Sequence, residues 1–133
     1  MLSTEVKGSQ SSVLFIGNPP RRAEELGSDI AGSLEQGHSA LDSHSYSVVI
    51  ISSAFKEKEI NDIIEKARKQ NSNAQFVLSY SEQTKMDLRS FLTSYDFFKV
   101  IQEKDHENLQ ATIYGALENH NELEQQENLL KLL

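Results

Sequence analysis

The stretch Tyr46-Ser-Val-Val-Ile-Ile-Ser52-Ser53-Ala54 constrains this chain more than any other. Its β-branched residues Val48, Val49, Ile50 and Ile51 follow one another without alternating with polar ones, and they run straight into a pair of serines. A short apolar run of this kind suits a strand buried on both faces, at the centre of a parallel sheet. In open α/β sheets the working site lies just beyond the carboxyl ends of such strands. Ser52 and Ser53 occupy that place, so their chemistry bears on any function proposed for the chain.

Composition narrows the alternatives. The 133 residues make one domain, and a domain of this size buries roughly two-thirds of its unfolded surface without a covalent staple. There is no cysteine, which excludes disulfides and thiolate metal sites and fits a reducing cytoplasm. The formal net charge of −7 argues against nucleic acid or anionic membrane as the main partner, because both need a basic surface. No apolar stretch is long enough to cross a bilayer, and the N-terminus lacks the apolar core of a signal peptide.

The rest of the chain divides into strands and helices. Residues 1–11 are small and polar and read as a disordered leader. Ser12-Val-Leu-Phe-Ile-Gly17 is the first strand, and Asn18-Pro19-Pro20 opens a helix that carries Ala23 and Leu26 and stops at Gly27. Two readings compete for the next segment. In one, Ser28–Gly32 is the second strand and Ser33 with Gln36 forms a capping box opening a helix to His44. In the other, Pro20–Gln36 is a single helix and His38–Asp42 the strand. The capping box favours the first.

After the central strand, Lys56–Gln70 is a helix whose Ile60, Ile63, Ile64 and Ala67 share one face. Asn71-Ser-Asn73 turns the chain into a strand over Ala74–Ser79. Ser81 caps a helix carrying Leu88, Phe91 and Leu92, and Tyr95–Ile101 is the last strand. From Asp105, an expected N-cap, helical pattern continues to the final residue. Strands alternating with helices imply right-handed crossovers and a parallel sheet with helices on both faces.

In this order the sequence resembles a response-regulator receiver domain over about Ser12 to His120. Val13-Leu-Phe-Ile16 resembles the first strand of that family, Ser45-Tyr-Ser-Val-Val-Ile-Ile51 the third and Phe76-Val-Leu-Ser79 the fourth. Leu109-Gln-Ala-Thr-Ile113, followed by Ala116-Leu-Glu118, resembles its fifth helix. The resemblance implies a five-stranded parallel sheet of order 2-1-3-4-5, a pseudo-receiver domain over residues 12–117 and a helical extension over residues 118–133.

The active-site positions implied by the resemblance depart from the family pattern. The acidic pair that holds Mg²⁺ is replaced by Gly17 and Asn18, and neither supplies the hard anionic oxygen the ion requires. The phosphoacceptor position is Ser52, a poor nucleophile at neutral pH without a metal or an adjacent base. Ser79 matches the switch Thr/Ser position. The family lysine falls on Lys99 if Phe97-Phe98-Lys99 ends the last strand, or on Glu103 if Lys99–Asp105 sets the register. The chain is thus expected to keep the scaffold without phosphotransfer, with no cofactor and no enzymatic activity.

Other candidate groups have simpler readings. Ser52 and Ser53 present hydroxyls to a Ser/Thr kinase, but strand-end hydroxyls commonly bond nearby backbone. His38, His44, His106 and His120 lie on different elements without ligand spacing. Asp29 and Asp42 are candidates to approach the vacant pocket and Asp62 lies on a helix face, with solvation the simpler reading for all three. Phe55 and Tyr80 are placed to fill the space an aspartyl phosphate would need. Arg21 and Arg22 are a solvated pair or a partner contact. A flavodoxin-like cofactor protein would share the topology, but Gly17-Asn-Pro-Pro20 offers too few backbone N–H groups to cradle a phosphate.

The C-terminal helix carries the clearest functional expectation. Leu109, Ile113, Ala116, His120, Leu123, Glu127 and Leu130 fall at alternating four- and three-residue steps, the a/d spacing of a coiled coil. Leu109, Ile113 and Ala116 belong to the receiver core in any case, and the dimerisation residues expected along this helix are Leu109, Ile113, Ala116, Leu117, His120, Leu123 and Leu130. The leucines beyond Leu117 want a partner, since an isolated helix this short is marginal in water; with His120 and Glu127 at core-like positions the expected coiled coil is weak or short, and a frayed tail is the alternative. The expectation is a homodimer through this helix, resembling the signalling helix that joins bacterial receivers to an output domain such as a cyclic-di-GMP enzyme or a phosphatase. The Leu-Leu-Lys-Leu-Leu ending suggests a chain cut from a longer protein. The alternatives are phosphorylation at an unusual site or small-ligand binding in the vacant pocket.

Overall fold

A computed structural model describes residues 12–17, 27–81, 87–102 and 107–133. The strands are β1 (Val13–Ile16), β2 (Asp29–Ala31), β3 (Val48–Ser52), β4 (Gln75–Tyr80) and β5 (Lys99–Gln102). They form one parallel sheet in the order β2-β1-β3-β4-β5. The helices among the described residues are α1 (Leu34–Ser43), α2 (Glu57–Gln70), α3 (Leu88–Ser94) and α4 (Glu107–Leu132). The topology is the one the receiver resemblance implies.

The continuous apolar runs work as expected. In β1 and β3 every residue is buried, because successive side chains point to opposite faces and both faces are covered. Leu14, Ile16, Val49, Ile51, Phe76 and Leu78 form one core with Leu41 of α1, Ile60, Ile63, Ile64 and Ala67 of α2 and Phe91 of α3. The intervening residues Val13, Phe15, Val48, Ile50, Val77 and Ile101 form the other core with Leu109, Ile113 and Ala116 of α4. Burial of this kind stabilises a side chain by roughly 1.5–3 kcal/mol each.

The contested segment follows the capping-box reading. Ser33 Oγ accepts from the Gln36 amide at 3.2 Å, and Gln36 Oε1 accepts from the Gly32 amide at 2.7 Å. His38–Asp42 lies within α1, so the alternative that made it a strand is overturned. The expected first helix, with Arg21 and Arg22, lies outside the described residues, as do the leader, Asp105 and His106.

Two boundaries are corrected. Asp87, not Ser81, caps α3, its Oδ1 accepting from the Ser90 amide at 3.4 Å. Ser81 is instead buried beside β3, its amide donating to Ser53 Oγ at 2.8 Å. The last strand starts at Lys99, not Tyr95. Tyr95 ends α3, and the rings of Tyr95 and Phe97 pack on Phe91 at 4.7 and 5.4 Å between centroids. The aromatic run imitates a strand in composition because it is apolar, but it serves as a packed connection.

Candidate functional site

The carboxyl edge of the sheet brings Gly17, Ser52 and Ser79 together. Gly17 follows β1 with φ +125, a backbone conformation suited to glycine, and its amide donates to the Ala31 carbonyl at 2.9 Å. A Cβ added at Gly17 would stand 2.8 Å from Ser52 Cβ and 3.4 Å from Phe55 Cε2. The strand end at Gly17 therefore has no room for a Cβ beside Ser52. Asn18 lies outside the described residues.

The serines here serve the backbone. Ser52 is buried, pairs in register with Ser79 and accepts from the Ala54 amide through its Oγ at 3.1 Å. Ser53 is fully buried; its amide donates to the Ser79 carbonyl at 2.9 Å, and its Oγ receives the Ser81 amide. Such bonds hold the turn after a strand, which is the ordinary use of a hydroxyl at this position. Phe55 packs half-buried against the α1–α2 core, and Tyr80 is half-buried at the end of β4.

Other sequence candidates lie elsewhere. Lys99 opens β5, so the register that ended the strand there does not hold; Glu103 lies outside the described residues. Asp29 starts β2, and its carboxylate accepts from the Tyr46 hydroxyl at 2.7 Å, at the amino edge of the sheet. Burial first, then the bond to Asp29 and its negative charge, push the Tyr46 phenol well above the usual range. Asp42 pairs with Lys66 at 2.7 Å between α1 and α2, and Lys66 Nζ lies 3.5 Å from His38 Nδ1. Among the described residues, no three His, Cys, Asp or Glu side chains gather in a metal-ligating group.

The expected dimer seam is redistributed. Leu109, Ile113 and Ala116, expected in the core in any case, are buried and cover β1, β3 and β4, and Leu117 and His120 pack within the same chain beside them. Leu123 is half-buried. Leu129, Leu130, Leu132 and Leu133 are 63, 70, 82 and 101 % exposed, respectively, so the unpartnered apolar surface starts later than the seam implied.

Sequence reading missed a polar contact between α4 and the α2–β4 connection. His120 Nε2 lies 3.1 Å from Asn71 Oδ1. Asn119 Nδ2 donates to Gln75 Oε1 at 2.6 Å, and Asn73 Nδ2 donates to Glu124 Oε2 at 2.5 Å. The available signal was His120 itself, a polar residue on an otherwise apolar stripe, which requires a buried partner.

No protein-family model and no curated protein matches the chain. A solved structure described as the adenylate cyclase from Rhodopirellula baltica superposes with a TM-score of 0.70 at 16 % identity, covering 91 % of this chain and 98 % of that one. At that identity the likeness carries the fold alone. Together with the strand order it gives the chain a receiver-like fold. No helix among the described residues is long and apolar enough to cross a membrane.

Proposed function

We propose that this chain is a bacterial, cytoplasmic signalling module that does not take up phosphate and works by protein–protein contact. The observation that carries the reading is Gly17 pressed against Ser52, where phosphotransfer would need carboxylates and room for a phosphoryl group. A serine already accepting a backbone hydrogen bond, with no carboxylate at Gly17 to hold Mg²⁺, favours scaffold over chemistry.

Contact with partners is assigned to α4. At 26 residues the helix is about 39 Å long, and its last leucines are exposed. A homodimer formed by those leucines, with Leu123 at its base, relays to an output domain in this reading; a cyclic-di-GMP enzyme or a phosphatase is the type the receiver resemblance suggests. Phe98 just before β5, Val100 on β5 and Tyr114 on α4, at 38, 37 and 59 % exposure, offer a second apolar surface.

The deciding experiment is incubation with a small-molecule phosphodonor and Mg²⁺, followed by intact mass. The unmodified mass is expected. A stable phosphoryl adduct that disappears in Ser52→Ala would replace this reading with an active receiver using an unusual acceptor. Sedimentation of the chain with and without Leu129→Glu and Leu130→Glu tests the dimer, which the substitutions are expected to dissociate.

A further inference from the structure

We propose that the α2–β4 connection and the middle of α4 form a latch that opens separately from the rest of the domain and sets how much of the helix a second copy of this chain can engage. Up to Ala116 the helix is held by core side chains. From Asn119 to Glu124 it is held mainly by polar contacts: Asn119 to Gln75, His120 to Asn71 and Glu124 to Asn73. From Gln125 onward every residue is exposed. The helix therefore crosses from a firmly packed segment, through a polar one, to an unpacked one.

The polar segment is weakly held for physical reasons. Each of its bonds exchanges for a bond to water on opening and contributes little net stability. His120 Nε2 faces Asn71 Oδ1, but its Nδ1 is buried without a hydrogen-bond partner among the described residues, so closing the latch leaves one polar atom unsatisfied. The receiving side is built for the contact. Asn71 Oδ1 also accepts the Asn73 amide at 3.2 Å, and Asn71 Nδ2 donates to the Tyr46 carbonyl at 3.2 Å. The loop is thus fixed to the entrance of β3 by bonds independent of α4, and stays in place when the helix leaves. Segments with few apolar contacts and exposed helical bonds open at low free energy, as units distinct from the core.

The regulatory meaning rests on the relay reading, but the test of the latch does not. Amide hydrogen exchange on the full chain compares wild type with His120→Ala and with the double variant Asn119→Ala, Glu124→Ala. Alanine is the better helix former at each position, so a helix held only by its own turns would exchange more slowly in the variants. The latch predicts the reverse: exchange over Glu118–Glu124 accelerates roughly fivefold or more, while Val49, Ile50, Val77 and Leu78 are unchanged. Unchanged or slower exchange in the helix overturns the proposal. So does equal acceleration in helix and sheet, which would make them one unit. Failure of the phosphate or dimer experiment would leave these exchange rates as they are.

Discussion

A Cβ at Gly17 would lie 2.8 Å from the Cβ of Ser52, closer than such atoms approach in folded proteins. The two residues end neighbouring parallel strands, Ile16 pairing with Ile51 just before them. Their contact leaves no room for a side chain between the carboxyl ends of β1 and β3. The left-handed φ of Gly17 and the local bond of Ser52 to Ala54 reinforce each other: one brings the backbone close, the other folds the hydroxyl back onto its own turn.

Gly17→Asp would place a carboxylate at this strand end. It would also force a non-glycine residue into φ +125 and a side chain into Ser52. Left-handed strain and overpacking each cost about 1–3 kcal/mol, so a loss of at least about 2 kcal/mol is expected in urea unfolding. A variant as stable as the wild type would show that the edge is roomier than described.

Tyr46 predicts alkaline behaviour. Its phenol, buried and bonded to Asp29, is held protonated in the folded state to a higher pH than in the unfolded chain. Tyr95 is shifted the same way, by burial first and then by the negative charges of Glu57, Glu65 and Asp62. For a raised phenol the folded chain binds more protons than the unfolded one, so the contribution is intact below about pH 10 and is lost as pH rises above it. Urea midpoints should therefore fall above about pH 10, and fall less steeply in Tyr46→Phe. That variant should also lose about 1–2 kcal/mol at neutral pH through the missing bond to Asp29.

The fold was legible where one physical rule acted alone. The unbroken apolar runs at Val13–Ile16 and Val48–Ile51 and the helical spacing of Ile60, Ile63, Ile64 and Ala67 each admit one packing, and each took it. Ser33 with Gln36 resolved the hardest segment because a cap is a local bond readable from local sequence. Tyr95–Phe98 misled because an apolar aromatic run fits either a strand or a packed connection, and only the position of Phe91 decides between them. At the candidate site the residue types at Gly17 and Ser52 were legible. The contact between those two residues depends on strand register, which the sequence does not display. The a/d stripe of α4 was a real periodicity: Leu109, Ile113 and Ala116 lie in the core, as the sequence suggested, and the same face continues inward to His120.

Two truncations should separate the parts of α4. Removing residues 126–133 takes away only side chains that are exposed in the single chain, so at dilutions where the chain is monomeric stability should change by no more than about 0.5 kcal/mol. Removing residues 118–133 also deletes the partners of Asn71, Asn73 and Gln75, and should cost about 2 kcal/mol or more. Thermal melts of both read the difference directly; equal losses would mean that α4 contributes nothing between Asn119 and Glu124.

Two helical glycines should respond with opposite signs to the same substitution. Gly37 in α1 and Gly115 in α4 each lie under a side chain from the sheet side of the fold. Replacing either with alanine gains about 0.5–1 kcal/mol of helix preference. At Gly37 the new methyl would meet Ile16 at 2.9, 3.2 and 3.2 Å, and Ile16 is fully buried between β1 and α1 with nowhere to turn. Overpacking there costs about 1–3 kcal/mol and outweighs the gain, so Gly37→Ala should destabilise. At Gly115 the methyl would meet only the far edge of the Phe98 ring, at 3.2 and 3.5 Å, and that ring is 38 % exposed and free to tilt outward. Gly115→Ala should therefore keep most of the helix gain and raise the melting temperature. Destabilisation by both substitutions would mean that Phe98 is held as rigidly as Ile16, and that the exposed face of β5 and α4 is less adaptable than a partner surface requires.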